Sequence, residues 1–311
     1  MQAVGVIEFG GPEALEVVEL PEVHPGPGQV RIRVHGATVN PTDTYHRNGS
    51  RAEMLRKDPP PYIPGMDCAG VIDEIGEGVE HVAIGEPVMA MVIPNGTQGG
   101  YRASIVLDAD QVARAPAGST HAEAATLPMN GLTARLSLDQ LALAPGQTLA
   151  VTGAAGCYGG YVVQLAKADG LRVIADAAPA DVELVRSLGA DEIVERGDDI
   201  ADRIRAIVPG GVDGLADGSV QNELAVAAVR DGGAYASVRF WSPPPERDIA
   251  FHKTLVSAYD HRADLLEVLS SQVENGLLTL RVAETYPPER APDAHRRLEA
   301  GGTRGRLVIT F

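Results

Sequence analysis

The chain has 311 residues, 44% of them apolar, and this favours two folded domains with sizeable cores. Its formal net charge of −16 disfavours nucleic-acid binding, because an acidic surface repels phosphate backbones. The two cysteines, Cys68 and Cys157, form no Cys-x-x-Cys pair and support neither a disulfide framework nor a structural zinc site.

The first hundred residues are predicted to form a β-rich region. Residues 29–39, QVRIRVHGATV, alternate polar and apolar side chains as a half-buried strand does. Residues 68–76 and 86–93 are short runs of β-forming residues bounded by glycine and proline. A helical pattern is confined to residues 51–56.

The pattern changes near Thr120. Residues 121–143 are rich in alanine and leucine at helical spacing, with Pro128 interrupting them. Beyond them, apolar runs alternate with helical patterns. Strands are predicted at 148–153, 172–176, 191–194, 211–216 and 232–238, and helices at 159–170, 180–190 and 200–208. This alternation predicts right-handed βαβ units around a parallel sheet.

The end of the chain returns to the first domain. Residues 262–276 are predicted to be helical and residues 305–311 to form a strand. The fold class is therefore α/β, with a Rossmann-type doubly wound sheet flanked by one β-rich domain that is split in sequence. The N-terminus lacks a signal-peptide pattern and no apolar stretch reaches membrane-spanning length, so we expect a cytoplasmic protein that binds no membrane.

The segment TGAAGCYGGY lies between a predicted strand and a predicted helix. Its glycines, Gly153, Gly156 and Gly159, suit a turn that presents a helix N-terminus to a pyrophosphate. The spacing is Gly-x-x-Gly-x-x-Gly, and Ala155 takes the position of the missing middle glycine of Gly-x-Gly-x-x-Gly. Ala155 is small enough for close backbone approach. The pattern predicts a dinucleotide site, with an ordinary βα turn as the alternative.

Cys157 and Tyr158 are the unusual residues of this turn. Both fall in the first turn of the predicted helix, and we include both among the cofactor contacts. Cys157 is either a reactive thiol, since a helix N-terminus lowers the pKa of a thiol, or a small buried filler. Tyr158 packs on the cofactor, packs on the other domain, or covers the turn.

Asp176 ends the second predicted strand, 23 residues after Gly153. An acidic residue there accepts hydrogen bonds from the adenosine ribose hydroxyls and repels a 2′-phosphate. The following residues, AAPAD, offer no lysine, arginine or serine for that phosphate. Asp176 therefore favours NADH over NADPH, unless it only begins the next loop.

Several motifs occur in one order along the chain. Asn40, Pro41, Asp43, Arg47 and Gly49 form an Asn-Pro-x-Asp-x-x-x-Arg-x-Gly motif, and PPYIPGMDCAGVIDEIGEGV, GGYRASIVL, AATLPMNGLTA and GGTRGRLVI follow it. With these motifs the chain resembles, over essentially its whole length, the zinc-independent quinone oxidoreductase (zeta-crystallin-like) branch of the medium-chain dehydrogenase/reductase superfamily.

The resemblance implies a domain plan. It predicts a GroES-like β domain at 1–120 and 259–311 around a Rossmann domain at 121–258, with the active site in the cleft between them and a homodimer as the assembly. Two departures stand out. The family's Gly-Gly-Val-Gly becomes Gly156-Cys157-Tyr158-Gly159, and residues 211–220, GVDGLADGSV, differ from the usual strand ending in Asp-x-Val-Gly.

Zinc is not expected. Zinc-dependent relatives use a cysteine, a Gly-His-Glu motif and a further cysteine or histidine, whereas this chain has Gly65-Met66-Asp67 and no cysteine in its NPTD segment. A thioether and a lone carboxylate do not make a tetrahedral nitrogen and sulfur site. The four-cysteine structural lobe is absent as well.

Without zinc, the expected chemistry is hydride transfer from NAD(P)H to a small electrophile, either a quinone or an α,β-unsaturated carbonyl compound. By resemblance, Asn40 and Tyr45 lie near the nicotinamide and hydrogen-bond the substrate carbonyl; Asn40 alternatively holds a turn, and either Tyr45 or solvent donates the proton. Thr133 lies under the nicotinamide in relatives. We also count Arg239 and Arg306 among the cofactor contacts.

Two other functions stay open. The substituted turn allows a non-catalytic NAD(P)H-binding sensor or structural protein. An enoyl-thioester reductase needs a basic surface for an acidic carrier protein, and the candidate cluster is Arg290, Arg296, Arg297, Arg304 and Arg306.

Overall fold

The computed structural model describes residues 1–311, and the chain divides into two compact units. The first unit consists of Met1–Met129, Tyr259–Asn275 and Leu280–Phe311. The second unit consists of Asn130–Ala258 and Gly276–Thr279. The first unit is therefore split in sequence and receives the C-terminal residues after the second unit.

The strands, in chain order, are Gln2–Val6 (β1), Leu15–Glu19 (β2), Gln29–Thr38 (β3), Asp67–Ile75 (β4), Pro87–Met91 (β5), Ser104–Asp108 (β6), Val112–Arg114 (β7), Thr148–Thr152 (β8), Arg172–Ala177 (β9), Glu192–Glu195 (β10), Val212–Asp217 (β11), Val229–Ser237 (β12), Ala250–Lys253 (β13), Val282–Tyr286 (β14) and Arg306–Ile309 (β15).

The α-helices, in chain order, are Pro41–Arg47 (α1), Ala52–Leu55 (α2), His121–Ala124 (α3), Pro128–Leu141 (α4), Cys157–Ala168 (α5), Val182–Ser187 (α6), Ile200–Ile207 (α7), Glu223–Val226 (α8), Ala263–Glu274 (α9) and Ala291–Glu299 (α10). None of them combines the length and the apolar character that a bilayer-spanning helix requires.

The first unit is built on a seven-stranded sheet with the order β14-β15-β3-β4-β5-β7, in which β6 also pairs with β3. Strand β3 buries Val30, Ile32 and Val34 and leaves the residues between them less buried, as its alternating sequence predicts. These side chains belong to a hydrophobic core that β1 and β15 also supply. The sheet fixes the positions of the segments that begin where β3 ends.

The second unit contains a parallel six-stranded sheet with the order β10-β9-β8-β11-β12-β13. All five residues of β8 are buried, which suits an interior strand of a parallel sheet. From β8 the chain winds outward to β9 and β10 on one side and later to β11, β12 and β13 on the other. The carboxyl ends of β8 and β11 therefore form the switch point where doubly wound folds bind ligands. The predicted fold class, α/β with a Rossmann-type sheet and a GroES-like β-rich domain, is confirmed.

Several details differ from the sequence predictions. Residues 121–129 lie in the first unit, whereas the predicted boundary follows residue 120. The reason is local packing, since α3 packs against β3, β4 and β5. Helix 121–143 is two helices, because Pro128 begins α4 rather than continuing α3.

The sequence patterns also miss some elements. The missed elements are short, or mostly exposed, or carry only a narrow apolar stripe; they are β1, β2, β6, β7, β13, β14, α1, α8 and α10. Strand β13 shows why, because none of its four residues is buried, so its sequence lacks an apolar run. Its partner β12 supplies the ladder that makes it a strand.

Candidate functional site

The glycine-rich turn joins β8 to α5 at the switch point of the second unit. Gly153 has a φ of +70°, which glycine adopts without strain. A Cβ added at Gly153 would lie 2.9 Å from the carbonyl carbon of Gly218, and one added at Gly159 would overlap the carbonyl oxygen of Gly153. The first and last glycines of the motif are therefore required by the backbone geometry, as the sequence predicts. Gly156 is the N-cap of α5 and has no side-chain cap.

Tyr158 lies against the glycine that follows β11. A Cβ added at Gly218 would be 2.7 Å from Cδ1 of the Tyr158 ring. Tyr158, which departs from the family pattern of the turn, and Gly218, which lies in the divergent segment 211–220, therefore form one structural feature. The missing side chain at position 218 makes room for the ring. Cys157, next to it, is a buried free cysteine.

The Tyr158 hydroxyl is held within the second unit. It lies 2.7 Å from the Ser137 hydroxyl, which in turn lies 3.1 Å from the hydroxyl of Thr254. Thr254 donates to the side chain of Gln140 over 2.9 Å. Burial raises the pKa of Tyr158 well above its usual value, so this hydroxyl is neutral at physiological pH. Tyr158 thus covers the turn and ties it to α4.

Asp176 lies on β9, beside the glycine turn, and is almost completely buried. Its Oδ1 accepts a hydrogen bond of 3.0 Å from the backbone N–H of Ala154. Its Oδ2 has no hydrogen-bond partner and faces Nε of Arg196 at 3.8 Å. Burial raises the pKa of this carboxyl group, opposed by the Ala154 N–H and by the Arg196 guanidinium. One oxygen of Asp176 therefore supports the turn, and the other keeps an unused acceptor.

Asp217, at the end of β11, is a hydrogen-bond centre that was not predicted from the sequence. Its carboxylate accepts from the hydroxyls of Thr152 and Tyr235. It also accepts from the backbone N–H groups of residues 219, 221 and 222. The available signal was an acidic residue ending a buried strand, the same signal that drew attention to Asp176.

The loop after β11 carries backbone strain. Val220 and Asn222 have φ values of 61° and 51°, in the left-handed region that non-glycine residues avoid. Each such residue costs about 1–3 kcal/mol, and strain of this kind clusters at binding sites. Within this loop, the side-chain oxygens of Ser219 and Gln221 are shielded from solvent and have no hydrogen-bond partner.

The first unit contains a buried polar cluster, formed by Thr38, Asn40, Asp67 and Arg306. The Asp67 carboxylate accepts from the Thr38 hydroxyl and, over 3.0 Å, from the side-chain amide of Asn40. Nη2 of Arg306 lies 3.6 Å from Oδ2 of Asp67 and donates to the Thr38 hydroxyl over 2.9 Å and to Oδ1 of Asn40. Burial raises the pKa of Asp67, and the guanidinium opposes this shift. We call this group the Asp67 cluster.

Asn40 precedes α1 and is completely buried. Its side-chain amide contacts Asp67, and its side-chain carbonyl accepts from Arg306. Its backbone N–H donates to Asp43 over 2.8 Å, which fixes the start of the helix. These bonds support the alternative prediction for Asn40, in which its side chain holds the turn before α1. A direct bond from Asn40 to a substrate carbonyl stays a prediction.

The other predicted contacts fall in different places. Tyr45 lies on α1 in the first unit and is partly buried, and its contact with a substrate stays a prediction. Thr133, in the second unit, is buried on α4 one helical turn before Ser137, whose hydroxyl bonds its carbonyl. Arg239 is exposed beyond the end of β12, and Arg306 lies inside the Asp67 cluster.

Comparison with known proteins identifies the family. Residues 26–130 match the Alcohol dehydrogenase GroES-like domain family, and residues 188–309 match the family described as Zinc-binding dehydrogenase. The quinone oxidoreductase of Rattus norvegicus is 30% identical, over 99% of this chain and 97% of the relative. The chain belongs to the quinone oxidoreductase branch of the medium-chain dehydrogenase/reductase superfamily. It is an oxidoreductase of a family that uses a nicotinamide cofactor.

Two further relatives show the range of names within the superfamily. An alcohol dehydrogenase of Geobacillus stearothermophilus is 30% identical, over 99% of both chains. The solved structure of the quinone oxidoreductase from Coxiella burnetii superimposes with a TM-score of 0.89 at 26% identity, over 100% of this chain and 99% of the other. Membership of the superfamily thus leaves the substrate to be argued from the site.

The residues at the switch point fit a nicotinamide dinucleotide. Gly153 and Gly159 have no room for a side chain because the chain packs closely on itself there, and this brings the N-terminus of α5 to the end of β8, as in a dinucleotide-binding turn. Three shielded oxygens without hydrogen-bond partners adjoin the turn: Oδ2 of Asp176, the Ser219 hydroxyl and Oε1 of Gln221. Buried polar groups are nearly always paired, so unpaired groups at such a site fit the hydroxyls and amide of a cofactor.

The residues at the family's metal position do not fit zinc. Met66 and Asp67 replace the histidine and glutamate, and Asp67 already pairs with a guanidinium cation. Neighbouring Cys68 lies in the hydrophobic core, where burial raises the pKa of its thiol to about 12. A protonated thiol and a neutralised carboxylate are not zinc ligands. A group of three potential ligands, Asp108, Asp110 and His261, lies elsewhere on the first unit and is exposed.

The basic residues named as a docking surface for an acidic carrier protein are only partly paired. Arg290 and Arg296 both form ion pairs with Asp293. Arg297 and Arg304 are exposed, and each donates to a backbone carbonyl. Arg306 is buried, so it does not contribute to such a surface, whereas the other four arginines remain on it.

Proposed function

We propose that the protein is a zinc-independent NAD(P)H-dependent reductase of quinones or α,β-unsaturated carbonyl compounds. The observation that carries the proposal is the Arg306–Asp67 ion pair at the position where zinc-dependent relatives hold their metal. A fixed guanidinium replaces the charge of a metal ion but offers no open coordination position for a substrate oxygen.

The substrate class follows from that difference. Oxidation of an alcohol by zinc-dependent relatives relies on a Lewis acid that stabilises an alkoxide. A quinone or an enone is already electrophilic at the carbon that accepts hydride, and its reduction needs orientation and a hydrogen-bond donor more than a metal. The hydroxyl of Tyr45, a partly buried residue, is the candidate donor, with solvent as the alternative source of the proton.

When bound, the reduced nicotinamide supplies the hydride. The chain's own residues bind and orient. The glycine turn would hold the pyrophosphate at the N-terminus of α5, while Asp217 holds the strained loop beside it. Asn40 fixes the start of α1 and thereby the place of Tyr45 on that helix. Tyr158 closes the turn from the side of Gly218.

We further propose that NADH binds at least as tightly as NADPH. Oδ2 of Asp176 has an unused acceptor, which a ribose hydroxyl can satisfy. A 2′-phosphate would bring two negative charges toward the same carboxylate. Burial of Asp176 raises its pKa, but the Ala154 N–H and Arg196 favour the ionised form that accepts from the ribose.

The test is a substrate panel with purified protein. We expect oxidation of NADH with benzoquinones, naphthoquinones or α,β-unsaturated ketones, at rates unchanged by a chelator or by added zinc. With NAD⁺ and primary or secondary alcohols we expect no turnover. Fluorescence titration of NADH and NADPH in the same buffer separates binding from reaction.

Three outcomes would count against the proposal. Alcohol oxidation that requires zinc would place the protein with the metal-dependent relatives. NADH binding with no reduction of any acceptor in the panel would favour the non-catalytic alternative. Reduction of enoyl thioesters in preference to free enones would instead favour the carrier-dependent reductase.

The assembly is also a proposal, and it rests on the family resemblance. We propose a homodimer. Strand β13 lies at one edge of the six-stranded sheet and offers unpaired backbone groups to a second copy. Light scattering coupled to gel filtration measures the mass directly, and a monomer at micromolar concentration would contradict it.

A further inference from the structure

Arg196 follows β10 and lies beside the carboxyl end of β9. Its backbone N–H donates to the carbonyl of Ala177 over 3.0 Å, so its position next to Asp176 is fixed by the sheet. Residues 194 and 195 pair with 176 and 177 in the parallel ladder. Arg196 is therefore at the edge of the sheet where the adenosine end of a dinucleotide lies in doubly wound folds.

Arg196 is the outer member of its ion pair. Its side chain is 46% exposed, whereas that of Asp176 is 2% exposed. The pair is loose, with 3.8 Å between Nε and Oδ2, and the Arg196 guanidinium makes no hydrogen bond to another protein group. A ligand that approaches this edge of the sheet meets the guanidinium before it meets the carboxylate.

The neighbouring basic residues are engaged elsewhere. Arg203 donates to the Asp199 carboxylate and to the carbonyl of Glu195. Arg172 lies at the opposite end of the same two strands, where it pairs with Glu192. No lysine or arginine occurs among residues 176–181, so Arg196 supplies the positive charge at the end of β9.

We propose that Arg196 is a specificity-determining residue that binds the 2′-phosphate of NADPH. In this arrangement the protein site for the adenosine end binds both cofactors, and it uses a different side chain for each. Oδ2 of Asp176 takes the ribose hydroxyls of NADH, and the guanidinium turns from Asp176 to the 2′-phosphate of NADPH. An arginine binds phosphate through a planar fork of N–H donors, which suits this role.

The inference rests on the use of a nicotinamide cofactor but not on the quinone or enone substrate. It refines the proposed cofactor preference, because Asp176 alone predicts strong rejection of NADPH. With Arg196 beside it, the repulsion is partly neutralised. NADH still binds at least as well, since NADPH must break the existing ion pair.

The test uses ligands that carry only the adenosine end. Adenosine 2′,5′-bisphosphate and adenosine 5′-monophosphate differ by the 2′-phosphate, and isothermal titration calorimetry measures both. For Arg196→Ala we expect the affinity for the bisphosphate to fall about tenfold or more, as one lost charge-assisted phosphate contact implies, while the affinity for the monophosphate stays within about twofold. Fluorescence titrations with NADPH and NADH should show the same pattern.

Arg172→Ala is the matched control. It removes an arginine of similar exposure, 42%, from the same pair of strands at the opposite edge. It changes the net charge equally, so a general loss of electrostatic attraction would appear in both variants. We expect it to leave both affinities unchanged. Arg196→Lys should keep part of the affinity for the bisphosphate. A lysine retains the positive charge but lacks the planar fork of N–H donors of an arginine.

Two results would overturn the proposal. An equal loss for both adenosine ligands in Arg196→Ala would mean that the guanidinium meets the 5′-phosphate. Unchanged affinity for both adenosine ligands would mean that the guanidinium contacts only Asp176. Circular dichroism and unfolding by urea establish that the variant is folded. Failure of quinone reduction in the unaltered protein would leave these binding results intact, so the two proposals fail separately.

Discussion

The glycine turn of the second unit and the Asp67 cluster of the first unit differ from relatives in different ways: the turn departs from the pattern of the quinone oxidoreductase branch, whereas the cluster differs only from zinc-dependent relatives. In the turn, the bulky Tyr158 is accommodated because position 218 has no side chain. In the Asp67 cluster, the Arg306 guanidinium pairs with the carboxylate that stands in place of the glutamate of the Gly-His-Glu motif of zinc-dependent relatives. The first difference is one of side-chain size, whereas the second is one of charge.

The comparison shows that size and charge are compensated differently. A larger side chain at one position is offset by a smaller one at a position that is close in space, even when the two residues are far apart in sequence. A buried charge can be offset only by another charge or by several hydrogen bonds. The Asp67 cluster uses both, since two side chains and a backbone N–H donate to the carboxylate beside the cation.

The largest expected effect comes from breaking the cluster. Arg306→Met leaves Asp67 buried without its cation, and this costs about 3–5 kcal/mol of unfolding free energy. Urea unfolding followed by circular dichroism measures the change. Addition of Asp67→Asn to this variant should recover part of the loss, because the unpaired charge is then removed.

The matched control for this prediction is Arg114→Met. Arg114 pairs with Glu86 on the same unit, but its side chain is 60% exposed. We expect a loss of less than about 1 kcal/mol there. If Arg306→Met lowers the free energy of unfolding no more than Arg114→Met does, the Arg306 guanidinium does not stabilise the Asp67 cluster. The cluster would then not be an example of a buried charge offset by another charge.

The second prediction concerns pH and Asp43, which lies next to the cluster. Burial raises the pKa of Asp43 to about 6, above its ordinary value near 4. Its contribution to stability is fully present below pH about 4 and is lost as the pH rises through about 6, up to about 3 kcal/mol for a shift of this size. Comparison of the unaltered protein with Asp43→Asn over pH 4–7 isolates this contribution.

Asp43→Asn should remove that decline, while the exposed Asp202→Asn serves as the control and should not change it. Asp43 also accepts hydrogen bonds from the N–H of Gly65 and the hydroxyl of Tyr101. Because Asp43→Asn weakens these bonds, we expect the variant to be less stable near pH 7 than the titration of Asp43 alone would make it. Parallel pH profiles for the unaltered protein and Asp43→Asn would show that this carboxyl group titrates normally.

The smallest effect is expected in the glycine turn. In Gly218→Ala the new Cβ meets the Tyr158 ring at 2.7 Å and the carbonyl oxygen of Thr152 at 2.9 Å. Overpacking of this kind costs about 1–3 kcal/mol, and we expect NADH affinity to fall as the turn shifts. Tyr158→Val in the same chain should restore part of both losses.

The control is Gly210→Ala, where an added Cβ has no heavy atom within 4 Å. It should leave stability and NADH affinity nearly unchanged. A double-variant cycle over Gly218→Ala and Tyr158→Val gives the coupling between the two positions. A coupling energy near zero would show that Tyr158 and Gly218 act independently. The absence of a side chain at position 218 would then not explain how the tyrosine is accommodated.

Much of the fold was predictable because local patterns specify it. The alternation of strands and helices from residue 148 to 238 predicts the parallel sheet, and the strict alternation in β3 predicts a half-buried strand. The glycines of the turn were interpretable because the backbone itself requires them, whatever surrounds it. The edge strand β13 escaped notice, since its residues have no buried face of their own.

The amino-acid sequence by itself determined the two-part architecture, the place of the glycine turn and the loss of the zinc ligand set, because each depends on residue types at short, regular spacings. Only the tertiary structure decided how distant residues act together. It placed Tyr158 on Gly218, Arg306 on Asp67 and Arg196 beside Asp176. Partners of this kind come from different strands and loops, so their contact depends on packing, which spacing along one segment does not encode.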